Sequence, residues 1–213
     1  MPLDRRVVLT HSAVLLAGGA LGTGLLARGA AAQAPAPAAD NPRLSERSMG
    51  QASAPMVVQE FFSLTCSHCG AFHREAWPQV KAELVQTGKV RMVWRDFPLD
   101  QIALRAAVVA RYFPAEAYEP FISALLGSQD RWAFARGIDH KTEIGKIATF
   151  AGMSPATFET AWADDETARG ILALRQQAER QFNVQATPTF VFNTRVVSGA
   201  ISFDRFAQEA ARG

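Results

Sequence analysis

The sequence predicts an α/β fold, a small mixed sheet flanked by helices with an all-helical block inserted into it. Three observations carry that reading. Segments patterned for strand and helix follow one another as strand, helix, strand, helical block, two strands, helix. Residues 100–182 hold no strand-like run of any length. The only cysteines of the chain stand together, as Cys66-Ser67-His68-Cys69, where the first strand gives way to the first helix.

Met56–Phe62 is a mostly apolar β-type run, as a central strand should be. Residues 69–86 follow with Phe72, Ala76, Val80 and Leu84 four apart, the spacing of one helix face. Pro78 lies inside that pattern and should kink it, and Gly88 should stop it. Residues 90–97 read as a second strand ending at Pro98. In the block that follows, Ile102, Ala106 and Val109 suit one helix and residues 117–126 another. Ser154-Pro155 is a helix start, with Ser as N-cap and Pro at the first helical position. Phe158, Ala161 and Trp162 then share a face, and Ile171, Leu174, Ala178 and Phe182 keep helical spacing, for four or five helices in all. Thr189–Phe192 and Arg195–Ser198 read as a hairpin, and residues 202–211 as a closing helix. Strand, helix, strand favours a parallel right-handed crossover, to which the hairpin adds antiparallel strands.

Hydrophobic content of 48% and charged content of 20% exclude wholesale disorder. The sequence pI of about 8.7 suggests a polyanion partner, but the excess sits in the first residues. Residues 1–32 carry Arg5, Arg6 and Arg28 against Asp4; removing them from totals of 22 and 20 leaves 19 of each sign. No basic footprint for nucleic acid survives. Residues 1–32 are expected to be an export signal: twin arginines, an uncharged stretch over 12–27, then the small residues Ala30-Ala31-Ala32 with cleavage after Ala32. A retained membrane anchor is the alternative; the glycines at 18, 19, 22 and 24 make it a weak span. Either way the domain lies outside the cytoplasm, where disulfides persist. Residues 33–54, rich in Ala and Pro, read as a linker, leaving 55–213 as one folded domain with its helical insertion at about 100–182.

A pair of cysteines this close closes too small a loop to staple a fold, so the pair reads as chemistry. Cys66 opens a helix, where unpaired amides and the helix dipole favour an anion; Cys69 lies one turn on. Because the thiolate is the reactive form, Cys66 should be the attacking sulfur, and His68 could add a hydrogen bond or positive charge. A stabilised thiolate stabilises the dithiol and makes the disulfide a stronger oxidant. Zinc would need two further ligands, with only His73 and His140 as candidates. Haem attachment would need His after Cys69, where Gly70 stands. An inert buried pair is the third alternative. The reading calls for no cofactor and no metal.

Glu60-Phe61-Phe62-Ser63-Leu64-Thr65-Cys66-Ser67-His68-Cys69 and Ala186-Thr187-Pro188-Thr189-Phe190-Val191-Phe192-Asn193 together resemble the DsbA family of exported thioredoxin-fold thiol–disulfide oxidoreductases. The helical block inserted between two halves of such a fold is similar too. The resemblance spans about residues 50–212. It implies Cys66 as nucleophile, Cys69 as resolving cysteine, a disulfide between them, and a cis bond at Pro188 beside it. It further implies substrate contacts at Ser67, Thr187 and Pro188, and Glu60 as a buried acid serving the proton of Cys69. Glu60 as an ordinary strand glutamate with a polar partner is the alternative. Ser67-His68 departs from the Pro-His of many members, and Thr187 from the Val of some strong oxidants. Asn193-Thr194 replaces the expected Asn-Gly, which predicts a looser hairpin turn.

The implied activity is donation of the Cys66–Cys69 disulfide to reduced exported polypeptides in the periplasm. The enzyme would be a monomer, re-oxidised by a DsbB-like membrane partner. The alternatives are an exported reductase or isomerase, or a chaperone-like peptide-binding module with an incidental redox pair.

Overall fold

The computed structural model describes residues 41–212. The expected leader and residues 33–40 of the expected linker lie outside the described residues. Five strands form a single mixed sheet in the order β1-β3-β2-β4-β5. The central strand β2 (Met56–Phe62) runs parallel to β3 (Val90–Asp96), register Met56↔Val90 to Phe62↔Asp96. On its other side it pairs antiparallel with β4 (Thr189–Phe192), which turns back into β5 (Arg195–Ser198). These strands fall where hydrophobic runs and turn residues put them.

Alternation along β2 decides what faces what. Met56, Val58, Glu60 and Phe62 share the face that meets the main core, with Phe72, Trp77, Phe190, Phe192 and Phe206 among its aromatic members. Phe61 points the other way, into a smaller cluster with Phe97, Ala178, Val184 and Val191. A glutamate thus sits in the row of the strand that enters the larger core, completely buried.

The single kinked helix expected over 69–86 is in fact three pieces. Helix α1 (Ser67–Glu75) stops at Ala76, α2 (Trp77–Val80) follows with Pro78 in its first turn, and a π turn spans Lys81–Val85. Pro78 has no N–H to donate to the turn before it, so the ladder breaks there. In the helical block, six helices stand where four or five were expected: α3 (Gln101–Arg111), α4 (Ala115–Gly127), α5 (Gln129–Trp132), α6 (His140–Phe150), α7 (Pro155–Trp162) and α8 (Asp165–Phe182). The one-turn α5 is too short to show a period. Ser154 and Ser202 cap α7 and the closing helix α9 (Phe203–Ala210) as read from the sequence.

Two expectations need correction. Residues 41–54 are not linker: a 3-10 turn at Pro42–Leu44 leads into β1 (Arg47–Met49), antiparallel to β3 with Arg47 opposite Trp94. A three-residue strand carries no legible alternation, and what holds it is remote. Arg111 donates to the carbonyls of Arg43 and Ser45, and Arg47 donates to the carbonyl of Arg111. The β4–β5 turn is not loose either. It is two residues, with Asn193 left-handed at φ 54°, and the Asn193 side chain accepts from the Val57 N–H. Asn tolerates that conformation better than most residues, so Gly is not required at the next position. Among the described residues, no helix is long and apolar enough to cross a membrane.

Candidate active site

The end of β2 and the start of α1 are joined by a tight turn in which the Cys66 N–H donates to the Ser63 carbonyl. Cys66 occupies the N-cap of α1 in extended conformation (φ −87°, ψ 117°), and no side chain caps the helix in the usual way. The thiol therefore stands where a capping oxygen would, with the N–H groups of Cys69 and His68 acting on it. Both cysteines are free thiols; Cys66 retains 8% of its surface and Cys69 none.

The two sulfurs differ in acidity. The Cys66 thiol falls from an ordinary 9.0 to about 5, chiefly because the Cys69 thiol donates to it. Burial opposes the shift; Thr187 and the amides of Cys69 and His68 assist it. Cys69 moves well upward, first through burial, then through the hydrogen bond it gives Cys66 and the negative charges of Cys66 and Glu60. An exposed-edge thiolate one turn from a buried thiol can open, exchange and re-form a disulfide.

The loop before β4 closes over the pair. The Thr187–Pro188 peptide bond is cis, and Cys66 Sγ donates to the Thr187 carbonyl at 3.2 Å. That contact belongs to the protonated thiol; the amides of α1 favour the thiolate. Thr187 Oγ1 is buried and forms no hydrogen bond of good geometry, although it lies close enough to favour the Cys66 anion. Pro188 is buried at the start of the strand.

Ser67 and His68 are both exposed. The His68 imidazole makes no hydrogen bond among the described residues, and what His68 contributes to the Cys66 anion is its backbone N–H. The hydrogen bond expected of its side chain is thus not among those of the described residues. Glu60 does have a polar partner: its two carboxylate oxygens lie 3.2 Å from His73 Nε2, both side chains buried. Its negative charge also acts on Cys69. The alternatives for Glu60 thus merge, since it is a paired strand glutamate and lies behind the second cysteine.

Two residues escaped the sequence reading. His73, weighed there only as a zinc ligand, sits four after Cys69 on the same face of α1, and that spacing was the available signal. Gln129 had none. From α5 its buried amide donates to the carbonyls of Leu64 (2.8 Å) and Cys66 (2.9 Å), tying the helical insertion to the active-site turn. Gly70 makes room for it: a Cβ there would lie 2.2 Å from Gln129 Oε1. As for metal, His73 faces Glu60 while His140 Nδ1 bonds the Trp132 carbonyl, and no group of three or more His, Cys, Asp or Glu could hold an ion among the described residues.

A family model described as Thioredoxin matches residues 43–209. A Rickettsia typhi protein named as a protein-disulfide oxidoreductase is 27% identical over 147 residues, 68% of this chain and 53% of its own length. The chain spans about half the length of the curated relatives it matches. The crystal structure of Wolbachia pipientis alpha-DsbA1 matches with a TM-score of 0.74 at 27% identity, over 79% of this chain and 90% of that one. Oxidised BdbD from Bacillus subtilis shares the fold at a TM-score of 0.69 and 18% identity, over 78% of this chain and 91% of its own. The expected likeness to DsbA proteins and the thioredoxin fold with its helical insertion are borne out.

Proposed function

The chain belongs to the thioredoxin family, and within it we propose an exported thiol–disulfide oxidoreductase that gives its Cys66–Cys69 disulfide to reduced polypeptides. A substrate thiolate attacks Cys66 Sγ, the Cys66–Cys69 bond breaks, and Cys69 leaves and takes up a proton. A second substrate thiolate then attacks the substrate sulfur of the mixed disulfide and expels Cys66 as a thiolate. The substrate loses two electrons and two thiols, and the enzyme gains both.

The observation that carries the direction is the acidity of Cys66. A thiol lowered from 9.0 to about 5 stabilises the dithiol at pH 7 by about 3 kcal/mol relative to an unperturbed one. At roughly 30 mV per 1.4 kcal/mol this raises the potential of the couple by about 60 mV. A DsbA-like assignment is supported by the named relatives, a periplasmic location by the twin-arginine leader, and a DsbB-like re-oxidising partner by the family alone. A monomer suffices, since both cysteines and the cis-proline loop come from one chain.

Equilibration of the protein with glutathione tests the direction. A reduction potential near about −120 mV is expected for the oxidant. A value near about −270 mV would overturn it in favour of the reductase or isomerase.

A further inference from the structure

The buried Glu60–His73 pair continues outward. His73 Nδ1 lies 3.4 Å from Ser123 Oγ on α4, Ser123 Oγ donates to Glu119 Oε1 at 2.8 Å, and Glu119 Oε2 receives Lys81 Nζ at 2.7 Å. Trp77 Nε1 also donates to Glu119 Oε1, and the rings of Phe62, Phe72 and Trp77 enclose His73. Glu119 is buried and Lys81 keeps about a third of its side-chain surface, 32%. A row of hydrogen bonds therefore runs from Glu60, behind Cys69, to the partly exposed Lys81.

Its polarity can be deduced. Ser123 spends its proton on Glu119, so its oxygen can only accept from His73, and Nδ1 must carry a proton. The contact between Nε2 and Glu60 then needs one further proton, held on either atom. Burial alone would raise Glu119, yet Lys81, Trp77 and Ser123 hold its carboxyl below the usual range, so Glu119 does not keep a proton that arrives there. The charged or titratable groups facing His73 are Glu60 from β2, Cys69 one turn back on α1, and Glu119 with Lys81 beyond Ser123.

We infer that Glu60, His73, Ser123 and Glu119 form a proton path for Cys69, set in the dithiol structure to carry a proton outward. The inference rests on the oxidoreductase reading above. When the dithiol is re-oxidised, Cys69 attacks Cys66 Sγ of a mixed disulfide, the bond to the partner's sulfur breaks and the partner leaves as a thiolate, and the Cys69 proton passes to Glu60. The proton shared at Nε2 becomes Nε2–H, the Nδ1 proton moves to Ser123, and the Ser123 proton moves to Glu119. One proton leaves Cys69, one arrives at Glu119, and the hydrogen bonds on both sides of Ser123 reverse. The reversed row is the one that returns a proton to Cys69 when a substrate opens the disulfide. Ser123 touches neither sulfur and acts only through His73.

The test oxidises the reduced full chain with oxidised glutathione, quenching with acid to follow disulfide closure by mass across pH 5–9. Ser123→Ala should slow closure about tenfold near pH 6 and make it rise with hydroxide, less than the roughly 10²–10⁴-fold a general acid–base group itself supplies, because Ser123 acts only through His73. Ser123→Thr, which keeps the hydroxyl, should restore the rate. The equilibrium with glutathione should stay within about twofold for both, because a path changes rates and not the thiolate that sets the potential. Wild-type closure rates and pH profile in Ser123→Ala would overturn the path, as would an equilibrium that moves as far as the rate. Failure of the wild-type chain to exchange with glutathione at all would instead sink the oxidoreductase reading.

Discussion

Cys66 and Cys69 stand three residues apart on one helix, and the fold treats them as opposites. Cys66 takes the N-cap, with amides and a neighbouring thiol turned toward it and an edge left open. Cys69 lies one turn deeper, against the core and the charge of Glu60. The same side chain is ionised in one place and kept protonated in the other: the hydrogen bond from Cys69 does most to lower Cys66, with the helix-end amides assisting, and burial does most to raise Cys69. The contrast also divides the labour: α1 and the cis-proline loop manage the anion, and the row behind Cys69 manages the proton.

The largest effect that contrast should have is on stability against pH. The Cys66 thiol is lowered in the folded dithiol from 9.0 to about 5. A depressed pKa contributes stability that is complete above about 9 and is lost as pH falls through about 5. At pH 7 the dithiol should gain about 3 kcal/mol from it, a gain the disulfide form lacks. Thermal unfolding of the two redox forms checks this: the dithiol should melt higher at pH 7, and its advantage should shrink toward pH 5. Alkylation of Cys66 should follow a midpoint of about 5, with Cys69 unreactive in the same samples. An advantage that does not change with pH would erase the contrast.

How much of this was legible in the sequence depends on range. β2, β3 and the hairpin announce themselves through apolar runs bounded by Pro, Gly and Asn. The N-caps at Ser154 and Ser202 are local signals too, and so is the helix start at Cys66. What could not be read are pairings across distance. The edge strand β1 is held by Arg111, itself tied to Asp96, whose other oxygen receives the Tyr118 hydroxyl. No spacing links those positions. His73 belonged to the apolar face of α1, where a histidine passes for an ordinary core residue until Glu60 is seen opposite it.

Gln129 sharpens the comparison from one side, since it holds the turn that aims Cys66 and makes no hydrogen bond to Cys69. Gln129→Leu should leave the buried carbonyls of Leu64 and Cys66 short of a donor, at a cost of about 2 kcal/mol. Denaturant unfolding of the dithiol measures the loss. The alkylation midpoint of Cys66 should rise as the turn loosens. An unchanged midpoint and stability would mean that α1 alone positions the thiol.

The smallest effect belongs to Thr187. Its hydroxyl is buried with no hydrogen bond of good geometry, a group the fold desolvates without return while Cys66 is protonated. Beside the thiolate the same hydroxyl helps to hold the charge. Thr187→Val keeps the shape and removes the oxygen, so two opposite consequences follow from one atom. Below the Cys66 midpoint, where the thiol is neutral, the variant should be as stable as the parent or slightly more so. Above it the variant should lose part of the anion's stabilisation, raising the Cys66 alkylation midpoint by less than about one unit, or 1.4 kcal/mol. Cys69 should not respond, because Thr187 is not among the groups that act on it. A crossing of the two stability curves as pH passes the midpoint would tie the hydroxyl to the thiolate, whereas curves that run parallel would assign it to packing alone.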